Sequence, residues 1–312
     1  MSLLKTHTRN RSVPGSLGPL GKSVGYLQGG YKGAAIFSKI QYFNTNTNSG
    51  SLVYDTGFNR KYRPGINGRF KGYFSIDDAT NFNSFNFVTY SQASSFNITK
   101  SPTVTCSDST LESQSWMISS DTAGWNDNSV GSNWLKLNLT LDTLTSHGTL
   151  SSGPTGTTRQ AASTTTHGFF CQISSSSPGI VYALKFSTQT VSNQGSSDLL
   201  NNSIQYACGM SCSESRVYMV GFIDRTVQMN FSGASITSIR LAQSTFTYNF
   251  GESHSLSSST TGYMMAGYQD TTARYGGQQH GLCQSINFSN EAITTQADLV
   301  LPQSSGQMMQ GF

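Results

Sequence analysis

Apolar residues in this chain come in short runs, rarely longer than three or four, and most runs alternate with polar residues. That period of two is the mark of β-strands with one buried face. One arrangement recurs. A small residue and an aromatic open a short apolar run at Gly25-Tyr26-Leu27, Gly72-Tyr73-Phe74, Ser115-Trp116-Met117, Gly168-Phe169-Phe170, Val217-Tyr218-Met219 and Gly262-Tyr263-Met264. An alternating strand follows each opening: Ile40-Gln41-Tyr42, Phe85-Asn86-Phe87, Leu135-Lys136-Leu137, Leu184-Lys185-Phe186, Met229-Asn230-Phe231 and Ile286-Asn287-Phe288. Most of these run into a polar turn. A third apolar stretch appears in several units, as Leu52-Val53-Tyr54, Phe96-Asn97-Ile98, Ile239-Arg240-Leu241 and Leu299-Val300-Leu301.

The opening aromatics lie 47, 43, 53, 49 and 45 residues apart, so the chain holds six units of about 48 residues. Each unit has room for three or four strands, the last in the polar linker before the next opening. Repeats of that size and strand count predict an all-β fold, a β-propeller of six blades. Residues 24–312 would form one propeller domain, and residues 1–23 an N-terminal arm. Segment 9–23 falls where a linker strand belongs, so the ring is expected to close through its N-terminal segment, completing the last blade. Closure would remove the edge strands that invite aggregation.

Composition narrows the class. Only 11% of the 312 residues are charged while 11% are aromatic, which argues against disorder and against long charged helices. No apolar stretch reaches the roughly 18 residues of a membrane span, and Met1-Ser2-Leu3-Leu4-Lys5 has no apolar core of a secretory signal. The expectation is therefore assembly in the cytoplasm of a cell without membrane contact. Five scattered cysteines, Cys106, Cys171, Cys208, Cys212 and Cys283, do not make a disulfide framework and read as small buried residues.

Charge is unevenly placed. Residues 1–71 carry 11 of the 19 Lys and Arg and a single acid, Asp55. Arg9 and Arg11 lie on the lead segment, and Arg60, Lys61, Arg63, Arg69 and Lys71 form a second cluster. These are candidate docking residues for an acidic partner surface. Nucleic acid is a weaker fit: the sequence pI of about 8.7 is below the value of roughly 9 that marks dedicated binding domains.

Candidate chemistry is sparse. Asp77-Asp78 is the one adjacent acid pair, and strand neighbours point to opposite faces. The five histidines show no metal-ligand spacing, and Gly-x-Ser-x-Gly and P-loop motifs are absent. Cys208-Gly209-Met210-Ser211-Cys212 lacks the second pair of ligands that zinc requires. Asp121–Asn128 offers oxygen ligands without the closing Glu of a calcium loop. Neither a catalytic site, a metal nor a cofactor is predicted. Trp125 beside Asn126 and Asp127 has the makings of a sugar-stacking loop, with Tyr268 in a second such loop; the alternative is a rim tryptophan packed on a neighbour.

Gly25-Tyr26-Leu27-Gln28-Gly29-Gly30, Gly262-Tyr263-Met264-Met265-Ala266-Gly267 and Ser285-Ile286-Asn287-Phe288-Ser289-Asn290 resemble repeats of propeller proteins encoded by tailed phages, cyanophages especially. A looser likeness is to Kelch-type propellers, whose double glycine survives at Gly29-Gly30 and Gly276-Gly277. The resemblance covers roughly residues 20–300 and carries no catalytic residues. It implies a non-enzymatic virion protein of the tail or its fibres, docked to other virion proteins in a symmetric multi-subunit assembly. The alternative is a lectin-like module that recognises a host-surface glycan.

Overall fold

The computed structural model describes residues 24–29, 31–32, 35–36, 38–58, 71–76, 81–87, 89–97, 102–107, 114–119, 133–138, 141–149, 158–163, 166–172, 178–200, 208–213, 216–220, 226–233, 235–244, 246, 254–258, 260–269, 278–296 and 307–310. Every regular element among them is a β-strand. Six antiparallel sheets follow one another along the chain. Sheet 1 has the order β25(Gln307–Gln310), β1(Val24–Gln28), β4(Lys39–Asn44), β5(Ser49–Asp55). Sheet 2 is β6(Lys71–Ser75), β7(Asn81–Asn86), β8(Ser91–Asn97), and sheet 3 is β9(Pro102–Ser107), β10(Gln114–Ser119), β11(Asn133–Asn138), β12(Thr143–Thr149). Sheet 4 is β13(Thr158–Ser163), β14(His167–Gln172), β15(Gly179–Lys185), β16(Thr190–Ser197). Sheet 5 is β17(Cys208–Ser213), β18(Arg216–Val220), β19(Thr226–Ser232), β20(Ser235–Leu241), and sheet 6 is β21(His254–Ser257), β22(Thr261–Gln269), β23(Gln278–Asn287), β24(Ile293–Thr295). A small hairpin, β2(Tyr31–Lys32) with β3(Ala35–Ile36), rises between β1 and β4.

The six opening aromatics sit on β1, β6, β10, β14, β18 and β22, at one register. Their cross-strand partners are Tyr42, Ser84, Lys136, Ala183, Gln228 and Ser285. Two features differ from the pattern reading. In sheets 1 and 3 the true equivalents of Phe85-Asn86 are Phe43-Asn44 and Leu137-Asn138, two or three residues beyond the expected start. The described pairing between the chain's two ends is also different: Gln307–Gln310 lies against β1, Tyr26 opposite Met309, while sheet 6 draws four strands from its own segment. The expected closing role of segment 9–23 lies outside the described residues, as does Leu299-Val300-Leu301; the fourth strand of sheet 6 is Ile293–Thr295.

The cores lie between sheets. Tyr26, Ile40, Phe74, Phe85 and Phe87 fill the space between sheets 1 and 2. Phe169, Val181, Leu200, Val217, Met229 and Phe231 join sheets 4 and 5, and Tyr218, Met264, Ile286 and Phe288 join sheets 5 and 6. Leu27, Phe43, Leu256, Tyr263 and Met265 join sheet 6 to sheet 1. Alternation explains this: Val217 and Met219 face back to sheet 4 while Tyr218 and Val220 face on to sheet 6. Gly179 is required by closeness rather than by dihedral, since a Cβ there would stand 2.0 Å from the Leu200 carbonyl oxygen.

Third and fourth strands are joined by a short turn. In five of the sheets a residue at or next to the end of this turn is left-handed: Asn48, Tyr90, Asp142, Gln189 and Glu291 at φ 49–57°. Sheet 5 instead has a tight turn that Gly233 opens at φ 61°. Asn44, Asn86, Asn138 and Asn287 each accept a backbone N–H two or three residues on, at 2.8–3.0 Å. Beyond the turn, the outermost strands of sheets 1 to 5 carry a β-bulge, leaving Val53, Ser95, His147, Gln194 and Thr237 unpaired in the ladder. The outermost strand of sheet 6 has three residues. Bulges and short strands are how exposed edges avoid pairing with other chains.

Candidate functional site

At the described junctions the opening aromatic of one sheet meets the end of the third strand, or the turn beyond it, in the next sheet. Tyr26 stacks on Phe87 with ring centroids 4.4 Å apart, and Phe169 on Phe231 at 3.9 Å. The Tyr263 hydroxyl donates to the Thr45 carbonyl at 3.2 Å, which carries the pattern from sheet 6 to sheet 1. Tyr73 and Tyr218 make the contact polar, because an acid occupies the left-handed turn position opposite them and a base stands two residues before them.

At the junction of sheets 5 and 6, Glu291 is 3% exposed. Its Oε1 accepts from the Tyr218 hydroxyl at 3.1 Å, Gln228 Nε2 at 2.7 Å and Arg240 Nη2 at 2.6 Å. Its Oε2 accepts from Arg240 Nη1 at 3.2 Å and the Gln243 N–H at 2.5 Å. Arg216 donates to the Phe288 carbonyl at 2.6 Å. Burial pushes the Glu291 carboxyl up, but the Arg240, Gln243 and Tyr218 donors outweigh it and hold the group below its ordinary value. The junction of sheets 2 and 3 is a simpler copy: Lys71 Nζ reaches both Asp142 oxygens at 2.5 and 2.7 Å, and the Tyr73 hydroxyl donates to the same carboxylate. Burial first, and then Asp142, push the Tyr73 hydroxyl far above its usual range.

These groups hold neighbouring sheets in register. Every oxygen of Glu291 is bonded to a group of its own chain, which suits a fixed ion pair rather than a proton-transferring acid.

The sequence offered no signal from single residues for Glu291, Asp142, Gln228 or Arg240. The usable signal was paired: Lys71-Gly72-Tyr73 and Arg216-Val217-Tyr218 each carry a base two before the tyrosine, and each has an acid at the turn of the following unit.

Of the sequence-predicted site residues, Trp125, Asn126, Asp127, Arg9, Arg11, Arg60, Lys61, Arg63 and Arg69 lie outside the described residues, as do Asp77-Asp78 and Asp121–Asn128. Tyr268 lies on β22 opposite Gln279. Lys71 belongs to the internal junction with Asp142 and also sits 5.6 Å from the Tyr73 ring centroid. Cys171 and Cys283 are buried thiols, and burial pushes the Cys171 thiol up to about 12. Among the described residues no helix is long and apolar enough to cross a membrane.

The ends of the sheets are unlike. Turns from third to fourth strand are short and uniform. Connections from second to third strand leave from the opposite end of each sheet and range from five residues, 221–225, to thirteen, 120–132. Residues 120–132 contain Trp125, and Tyr268 stands at the root of another such connection.

No protein-family model matches the chain, and no curated protein matches it in sequence. Solved structures do match in shape. A chain of the nidogen/laminin complex superposes with a TM-score of 0.61 at 7% identity, over 92% of this chain and 98% of that one. The structure of YjhT gives 0.60 at 9% identity, over 80% and 87%. With its small antiparallel sheets and these neighbours, the chain is an all-β protein of the β-propeller type.

Proposed function

We propose that this chain is a non-enzymatic docking module, built as a six-bladed ring that Gln307–Gln310 fastens onto the first blade. Two contacts support the ring. First strands lie side by side in order, β9 by β13, β13 by β17, β17 by β21 and β21 by β25, and β25 next meets β6, the strand that carries Tyr73. The Tyr73–Asp142 contact spans sheets 2 and 3. Removing residues 307–312 should bare the β1 edge and lower the melting temperature by tens of degrees or give edge-paired oligomers; unchanged melting would sink the ring.

The observation that carries the docking role is the contrast between the two ends of the sheets. Regular turns at one end and connections of five to thirteen residues at the other are the plan of a scaffold that presents variable loops. The charge of the segment bearing Arg60, Lys61, Arg63 and Arg69 suits an acidic partner surface. With the phage-type repeat, our reading takes the protein to be a virion component of a tailed phage, in the tail or its fibres. Mass spectrometry of purified particles tests the setting: a fixed copy number supports it, and recovery only in the soluble fraction overturns it. Substituting Arg60, Lys61 and Arg63 by Glu should block incorporation while leaving the fold intact.

The variable end also favours a second reading. Trp125 belongs to one second-to-third connection and Tyr268 stands on β22 at the root of another, a placement that would let a glycan lie across that end. Trp125→Ala abolishes glycan retention in that case and leaves a pure docking module unaffected.

A further inference from the structure

Roughly nine-tenths or more of sealed polar groups have hydrogen-bond partners. Among the described residues five buried side-chain oxygens have none: Asn48 Oδ1, Asn83 Oδ1, Gln92 Oε1, Ser95 Oγ and Thr226 Oγ1. Three of the five lie in one strand pair, β7 with β8. Asn83 pairs with Ser94 and Phe85 with Gln92, so Asn83 and Gln92 are diagonal neighbours on one face of that ladder. Phe74 and Phe85, which share the face, pack into the core against sheet 1, so the face looks across the first junction. Asn83 is 5% exposed.

Donors on the opposing wall are engaged there, Gln28 Nε2 with the Thr56 hydroxyl at 3.5 Å among them. Gln28 Nε2 gives to the Phe58 carbonyl at 3.2 Å, and the Thr56 hydroxyl to the Ser38 carbonyl at 2.7 Å. Gln92 Nε2 gives to the Thr56 carbonyl at 3.2 Å, which fixes that amide and leaves Oε1 as the end without a partner. Ser95, the unpaired bulge residue, is next to Asn83 in the ladder, and bulges commonly re-aim side chains. What this ladder presents is two amide oxygens and a hydroxyl without partners.

We propose that the crevice between sheets 1 and 2 binds a small electropositive guest, an ordered water or an alkali cation, held by Asn83 Oδ1 and Gln92 Oε1 with Ser95 Oγ as a third ligand. The ligands are neutral. Calcium sites use six to eight oxygens, carboxylates among them, so a singly charged ion or water suits this set better. A guest bonded to both amides ties the middle strand of sheet 2 to its outer strand, beside the wall of sheet 1.

The test is thermal melting of the full chain in sodium, potassium and choline chloride at matched ionic strength, with variants Asn83→Leu, Asn83→Asp and Gln92→Leu. For a cation, melting in sodium or potassium exceeds that in choline by about 2 °C or more, Asn83→Leu erases the difference and Asn83→Asp widens it. For water, the salts behave alike, Asn83→Asp is destabilised, and the Asn83→Leu/Gln92→Leu double variant loses clearly less than the singles added together, because both singles release one guest. Salt-independent melting with additive losses, or with no loss at all, overturns the proposal. Should Asn83→Leu fail to fold, Ser95→Ala with the partly exposed Gln92→Leu repeats the cycle.

Discussion

The junctions on either side of sheet 5 put the same structural position to different chemical use. Between sheets 4 and 5, Phe169 lies on Phe231 with centroids 3.9 Å apart, inside a core of Val181, Val217, Met219 and Met229. Between sheets 5 and 6, Tyr218 lies on Phe288 at 5.3 Å and adds a hydroxyl to a buried Arg–Gln–Glu network. The repeat thus preserves a place for an aromatic ring against the next turn, and leaves the ring's edge free to be apolar or polar. Among the described residues an ion pair is added at two junctions, 2/3 and 5/6, three sheets apart. An apolar junction supplies area and nothing directional. A buried ion pair supplies little net energy but penalises every wrong neighbour, because a misplaced Glu291 would be buried without its arginine. Six similar sheets face a problem of order, and two keyed junctions among them are one physical answer to it.

The largest effect expected is at the apolar junction. Phe169→Ala removes a fully buried ring and should cost about 3–5 kcal/mol, read as a shift in denaturant midpoint. That loss should be the same at low and high salt. Glu291→Gln keeps the shape and one acceptor but removes the charge. Because Arg240 is 42% exposed and can rehydrate, the expected cost is about 2–3 kcal/mol, less than the roughly 3–5 of a pair buried on both sides. If Phe169→Ala proves salt-sensitive and Glu291→Gln does not, the contrast between the junctions is wrong.

Much of this contrast could be read in the sequence, and the part that could not has a specific cause. The openings from Gly25-Tyr26 to Gly262-Tyr263 were legible because an aromatic after a small residue, repeated at nearly constant spacing, survives any local change of chemistry. The start of the second strand was misplaced at Ile40 and Leu135 because both segments alternate over several residues, and a period of two cannot fix register by itself. The turn would have fixed it. Asn44, Asn86, Asn138, Asn230 and Asn287 mark the same position, but in a chain so rich in Asn a single one carries no weight. Glu291 and Asp142 gave no signal of their own because their tyrosine partners are 73 and 69 residues away in the preceding unit. The pairing of Gln307–Gln310 with β1 was illegible for a similar reason: a four-residue strand with no alternation was outweighed by a lead segment of the right length.

Acid separates the junctions more cleanly than salt. The Glu291 carboxyl is held below its ordinary value of 4.5, so the unfolded chain takes up a proton first as pH falls. The stability this group contributes is complete above that value and is lost as pH drops through the lower folded value. Wild type should therefore show a steeper loss of stability below about pH 4.5 than Glu291→Gln, while Phe169→Ala keeps the wild-type slope from a lower starting point. Parallel acid curves for wild type and Glu291→Gln would show that the network contributes no pH-linked stability.

The smaller expectations compare the polar junctions with each other and with the surface. Tyr218→Phe leaves Gln228 and Glu291 each short of one bond in a buried site and should cost about 1–2 kcal/mol. Tyr73→Phe should cost less, since Asp142 keeps both Lys71 contacts and its side chain is 31% exposed, so water can replace the lost hydroxyl. Lys39 and Asp55 form an ion pair within sheet 1 with both side chains more than 40% exposed. Lys39, Ser38 and the Gly57 N–H lower the Asp55 carboxyl to about 2, yet solvent screens a pair so open. Lys39→Ala should shift stability by well under about 1 kcal/mol, and the shift should vanish at high salt. If that surface pair proves as costly to break as the Tyr218 hydroxyl, burial is not what gives the polar junctions their strength, and their role in ordering the sheets fails with it.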